Sequence, residues 1–126
     1  MKQYKHALGE ILIELPAGFQ QKGKSLEESA ITELEEEVGI KTSKDHLVFL
    51  GKTANSPTKT TQVTHCYVAM NLEFNSKQNL DKTEDIEIIK VSPKKALEMI
   101  NNGEIWVADS VANIAKAYFK YPNIFQ

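Results

Sequence analysis

The chain has a single cysteine, Cys66, and no apolar run approaching the roughly 20 residues that a membrane-spanning helix needs. One cysteine excludes an internal disulfide and fits a reducing compartment. Charge of neither sign dominates. A net charge of -2 forces no basic face, which argues against a nucleic-acid partner. The opening MKQYKHALGE is basic but has no apolar core, so it does not read as a signal peptide. There is no internal repeat and no low-complexity segment. These absences point to a cytoplasmic protein without a membrane or nucleic-acid partner.

What is present is the composition of a packed domain. With 41% hydrophobic and 25% charged residues, disorder is not expected, and 126 residues suffice for one core but not for two ordinary domains. We read 1–126 as a single domain. Residues 2–8 and 10–15 read as two strands joined at Gly9-Glu10, with the apolar Ile11, Leu12, Ile13 and Leu15 suiting a strand buried on both faces. Pro16 ends it. Ser25, with Glu28 three residues on, forms a capping box for a helix whose apolar stripe is Leu26, Ala30, Ile31, Leu34 and Val38. Gly39 is the expected stop. Strands follow at His46–Lys52, Gln62–Leu72 and Ile86–Val91, separated by polar loops. A helix capped by Ser92 runs to about Asn101, and a last one spans Ser110–Lys120 with Val111, Ile114, Ala115 and Tyr118 inward. The order β-β-α-β-β-β-α-α predicts a mixed β-sheet sandwiched between helices.

Three carboxylates stand out. Glu33, Glu36 and Glu37 lie at i, i+3 and i+4, so a helix gathers them on one face. Like charges at this spacing cost about 0.2–0.5 kcal/mol per pair. Mg²⁺, a hard cation that prefers carboxylate oxygen and bridges to phosphate, would give that cost a purpose. A solvated acidic face is the other reading, since Glu-rich helices are common. His65 and Cys66 are neighbours on a strand and face opposite ways, so they form no catalytic pair. Trp106 reads as a core or dimer aromatic, or as a surface on which a base could stack.

The segment Leu15–Ile40 resembles the Nudix box, G-x5-E-x7-R-E-U-x-E-E-x-G-U, where U is aliphatic. Gly18, Glu33, Leu34, Glu36, Glu37, Gly39 and Ile40 match at the right spacing. Gln3-Tyr4-Lys5, Glu14-Leu15-Pro16-Ala17-Gly18, Glu84-Asp85-Ile86 and Gly103-Glu104-Ile105 extend the likeness toward the ADP-ribose pyrophosphatase branch. The resemblance implies a Nudix α/β/α fold and hydrolysis of a nucleoside diphosphate derivative, such as ADP-ribose, to a nucleoside monophosphate and a sugar phosphate. It implies Mg²⁺ or Mn²⁺ held by the Ala17 carbonyl, Glu33, Glu36, Glu37 and Glu84. Glu33, Glu36 and Glu37 would be catalytic, with Lys5 and Gly18 on the substrate side. A homodimer is also implied, although the additional N-terminal strands that usually support it in that branch are not in this sequence.

Lys5 stands where the Q-Y-R pattern has Arg and Gln62 where a carboxylate is common, and three further departures bear on catalysis. Lys24 stands at the box's first Glu and Thr32 at its Arg, so the charge pair that supports the box is lost on both sides. Lys82 stands where that branch often has a general base, with Asp81 adjacent. These departures define the competing expectation, a Nudix-fold domain with impaired catalysis that binds nucleotides in a regulatory role.

Overall fold

The acidic helix forms where its caps require it. In the computed structural model, which describes residues 1–126, α1 spans Leu26–Val38. Ser25 Oγ accepts from the Glu28 amide at 3.1 Å, and the Glu28 carboxylate accepts from the Ser25 amide at 2.8 Å. Two amides that the helix cannot pair internally are thereby satisfied. Gly39 closes the other end in the left-handed region, at φ 71°.

The remaining elements are β1 (Lys2–Lys5), β2 (Glu10–Ile13), β3 (Leu47–Ala54), β4 (Val63–Ala69), β5 (Ile86–Glu87), α2 (Pro93–Asn101) and α3 (Ala108–Lys120). Short 3₁₀ turns at Lys44–His46 and Pro122–Phe125 complete the chain. The α/β class and the order of strands and helices agree with the sequence reading. The sheet differs in detail. All pairings are antiparallel and lie in two sheets, β2-β1-β5 and β3-β4, rather than one mixed sheet. β2 ends at Ile13, with the Leu15 amide taken by Ser110 rather than by a neighbouring strand, and a two-residue β5 offers little length for joining the sheets.

Local expectations fail in three places. The first hairpin turns through His6–Gly9 rather than at Gly9-Glu10, with Gly9 at φ 67° and its amide bonded to the Lys5 carbonyl at 2.8 Å. β2 is not buried on both faces: Leu12 is 4% exposed but Ile11 is 61% exposed, the alternation of a one-sided sheet. On α3 Ser110, Ile114 and Ala117 are buried and Val111 packs against the same core, whereas Tyr118 lies outside. The helix begins at Ala108, two residues before the expected start.

Two apolar clusters hold these elements together. One joins Met99 of α2, Ile105, Ile114 and Ala117 of α3, and Phe125 of the terminal turn. The other packs Val38 and Ile40, at the end of α1, against Met1 and Ile86. Each large side chain so buried contributes about 1.5–3 kcal/mol relative to exposure. Asp109, in the first turn of α3, ties that helix to the β3-β4 sheet by accepting from Thr53 Oγ1 at 3.1 Å and Asn55 Nδ2 at 2.6 Å. The buried Ser110 hydroxyl accepts from the Leu15 amide at 3.0 Å, which anchors the chain just before Pro16.

Gly39 has a second reason to be glycine. A Cβ there would lie 2.7 Å from the backbone oxygen of Ser76, which cannot swing aside as a side chain can. Gly39→Ala therefore combines left-handed strain with displacement of the 75–79 segment. We expect a loss of about 2–3 kcal/mol, read as a fall of roughly 10 °C in thermal denaturation. A variant melting within two degrees of the parent would refute this account of the helix end.

Candidate functional site

The candidate site is built where the turn after β2 meets the inner face of α1. The Ala17 amide donates to Glu37 Oε2 at 3.1 Å. Gly18 lies directly against Glu33: a Cβ on it would fall 2.2 Å from Glu33 Cδ and 2.4 Å from Oε1. Further along the loop, the Gln21 amide donates to the buried Ser29 hydroxyl at 3.0 Å. These contacts press the Pro16–Gln21 segment onto α1, so Ala17, Gly18, Glu33 and Glu37 of the sequence reading meet at one place.

The electrostatics of that place are unfavourable to charge. Glu37 is 5% exposed. Burial, then the neighbouring Glu33 and, more weakly, Glu84 and Glu14, push its carboxyl up to about 7, against the pull of the Ala17 hydrogen bond. Glu33 is raised too, first by burial and next by Glu36, with Glu84 and Asp81 adding to it and a hydrogen bond from Gln21 opposing. Glu84 and Asp81 thus belong to the same field, although some fifty residues separate them from α1.

They arrive there on the loop between β4 and β5. Its tip is a tight turn in which the Glu84 amide donates to the Asp81 carbonyl at 2.9 Å and the Asp81 amide to Glu84 Oε2 at 3.0 Å. The Glu84 carboxylate is therefore turned onto its own loop. No three His, Cys, Asp or Glu side chains converge closely enough to grip a metal ion as they lie. The donor chemistry nevertheless suits a hard divalent cation: all the donors are oxygen, the buried Glu37 carboxyl stands beside the half-buried Glu33, and a cation would relieve their repulsion. Binding one requires side-chain rotation of Glu33, Glu36 or Glu84, which glutamate rotamers allow.

The altered frame of the box has its own bond. Lys24 Nζ donates to Thr32 Oγ1 at 3.1 Å, and Thr32 Oγ1 donates to the Glu28 carbonyl at 2.8 Å. The two departures from the pattern thus sit opposite each other, and a neutral acceptor faces the lysine in place of an ion pair.

Lys5 is paired within the chain. Its Nζ pairs with Glu14 Oε1 at 2.7 Å, and that carboxylate is only 11% exposed. Glu14 is a site-facing residue that the sequence reading did not single out, although a carboxylate between Ile13 and Leu15 was the available signal. The pair borders an apolar depression of about 370 Å³, lined by Leu8, Leu12 and Trp106. Trp106 is 50% exposed, so it is not a core aromatic. Cys66 is fully buried on β4, with burial pushing its thiol up, and His65 instead stacks on Phe49 at 6.0 Å. The sequence contains no arginine. Bidentate recognition of a phosphate by a guanidinium is therefore not open to these residues.

Comparison with known proteins gives the family. A family model described as the NUDIX domain matches residues 1–113. The ADP-ribose pyrophosphatase of Bacillus subtilis (strain 168) is 31% identical over 109 residues, covering 86% of this chain and 58% of that protein. The methanol dehydrogenase activator of Bacillus methanolicus is 32% identical over 123 residues, covering 95% and 63%. A crystal structure of an ADP compounds hydrolase superposes with a TM-score of 0.84 at 21% identity, over 96% of this chain and 64% of that one. The chain thus spans about three fifths of the length of these relatives. With the box residues gathered on one face of α1 and the family model matched over most of its length, the chain belongs to the Nudix family.

Proposed function

We propose that this domain hydrolyses a nucleoside diphosphate derivative with Mg²⁺ or Mn²⁺, and that nucleotide sugars of the ADP-ribose type are its substrates. The observation that carries the reading is the contact of the Ala17-Gly18 turn with Glu37 and Glu33 on α1, in a Nudix chain. Similarity to the Bacillus subtilis ADP-ribose pyrophosphatase supports the substrate class.

In this reading Glu33, Glu36, Glu37, Glu84 and the Ala17 carbonyl hold the cation. When bound, the cation neutralises the diphosphate and polarises the attacking water. Gly18 leaves the space in which Glu33 stands. The Lys5–Glu14 pair flanks the depression beside Trp106, where the organic part of a nucleotide has apolar surface to cover. Water attacks one phosphorus and the bridging P–O bond breaks, giving a nucleoside monophosphate and a sugar phosphate. Lys82 stands where that branch often has a general base, and in this reading the adjacent Asp81 takes the water's proton in its place. We further place the protein in the cytoplasm as a homodimer.

The test is a screen of the purified protein against nucleotide sugars, dinucleoside polyphosphates and nucleoside triphosphates with Mg²⁺ and Mn²⁺. Release of nucleoside monophosphate from ADP-ribose, abolished by EDTA and restored by either ion, is expected. A second reading draws on the Lys24–Thr32 replacement and on similarity to the methanol dehydrogenase activator: a domain that binds nucleotides and regulates another protein. Calorimetric binding of ADP-ribose with no product from any substrate would favour that reading and sink the hydrolase.

A further inference from the structure

The segment before the Glu84 turn is bolted to the end of α1. The Ser76 amide donates to the Gly39 carbonyl at 3.0 Å, and Ser76 Oγ to Glu35 Oε1 at 3.0 Å. The Asn79 amide donates to the Glu36 carbonyl at 2.8 Å. Gln78 makes the contact that reaches furthest. Its Nε2 donates to the Glu37 carbonyl at 2.7 Å and to the Ile86 carbonyl at 3.1 Å.

The last carbonyls of a helix have no partner within the helix. Here two of them, on the residues that carry Glu36 and Glu37, receive donors from one short stretch of chain. The Gln78 amide has two N–H groups and spends them on two elements, the C-terminus of α1 and the start of β5. Between Asn79, held on Glu36, and Ile86, held by Gln78, lies the loop with Asp81 and Glu84. Both feet of that loop are therefore fixed to the backbone beneath the acidic face. The backbone bond from the Glu84 amide to the Asp81 carbonyl closes the tip whichever way the Glu84 carboxylate turns, so its position depends on the feet.

We infer that Gln78 is a positioning residue that sets the Asp81–Glu84 turn against Glu33 and Glu37. The inference rests on the reading of that face as a cation and nucleotide site. It extends the reading to a residue that lies outside the Nudix box and need touch neither ion nor substrate. Gln78→Met keeps the length of the side chain and removes both donors. Groups that hold a metal site's ligands in place typically cost 10–100-fold in affinity when lost.

Three variants test it: Gln78→Met, Glu84→Gln and the double. Mn²⁺ affinity is read by electron paramagnetic resonance of the free ion, and backbone order by amide hydrogen exchange. Gln78→Met should weaken Mn²⁺ binding about ten-fold. It should also speed exchange at residues 80–86 while leaving α2 and α3 protected as in the parent. The double variant should bind Mn²⁺ no more weakly than Glu84→Gln by itself, because Gln78 acts through Glu84. Unchanged Mn²⁺ binding in Gln78→Met, or losses that add in the double, would overturn the inference. Should the parent bind no Mn²⁺, the functional reading fails, and exchange then decides the positioning role separately: unaltered protection at 80–86 in Gln78→Met overturns it.

Discussion

Replacing Glu37 by glutamine is expected to abolish turnover and, at pH 8, to make the protein more stable. The two effects have one cause. Glu37 is buried beside Glu33, and its carboxyl keeps its proton up to about pH 7, whereas an ordinary glutamate releases it near 4.5. Between those values the folded state binds more protons than the unfolded chain. The free energy of unfolding therefore falls as pH rises. The contribution of this group is intact below pH 4.5, is lost progressively up to 7, and leaves a cost of about 3 kcal/mol above it.

Glutamine keeps the shape and still offers an oxygen to the Ala17 amide, which now bonds Glu37 Oε2 at 3.1 Å. It carries no charge to desolvate. Thermal denaturation of parent and variant from pH 4.5 to 8.5 should give curves that meet at the acid end and diverge by roughly 10 °C at the alkaline end. Added Mn²⁺ should raise the parent's melting temperature at pH 8 and move the variant's little, since ligand binding stabilises only the form that binds. A variant that hydrolyses nucleotide sugars at the parental rate would remove Glu37 from the site. A variant no more stable than the parent at pH 8 would mean that the carboxylate is not strained.

How much of this could be read from the sequence follows from how local each feature is. α1 was legible because its signals are adjacent: Ser25 and Glu28 form one box, and Gly39 sits one residue past the last turn. The gathering of Glu33, Glu36 and Glu37 needed only helical periodicity. The exposure of Ile11 was not legible, because an apolar run does not say whether one face of the sheet or both are covered. Nor was the Lys5–Glu14 pair, which depends on the register of a hairpin whose turn was placed two residues off. The stretch Asn75–Asp85 has no periodicity and read as a polar loop, yet Ser76, Gln78 and Asn79 cap the end of α1. Those bonds join residues some forty positions apart and leave no local trace. Lys24 and Thr32 fall between these cases. Their departure from the Nudix pattern was visible at once, but the hydrogen bond that replaces the ion pair needed the loop and the helix in place.

Gly18→Ala should separate function from stability more sharply than any change to a carboxylate. Gly18 is not in the left-handed region, so alanine strains no backbone there. The added Cβ would instead meet Glu33, at 2.2 Å from Cδ, 2.4 Å from Oε1 and 2.6 Å from Cγ. These are the far atoms of a flexible side chain, unlike the backbone oxygen that a Cβ at Gly39 would strike. Glu33 can swing aside, and leaving the neighbourhood of Glu37 and Glu36 relieves some repulsion. We therefore expect a melting temperature within a few degrees of the parent. Turnover should fall about 100-fold, because a misplacement of about 1 Å at the reacting centre costs that much. Adding Glu33→Gln to Gly18→Ala should reduce turnover little further, since the alanine has already taken the carboxylate out of position. If Gly18→Ala retained parental turnover, the placement of Glu33 against the Pro16–Gly18 turn would not be the one that the reaction uses. If it unfolded, Gly18 would be holding backbone rather than making room for a side chain.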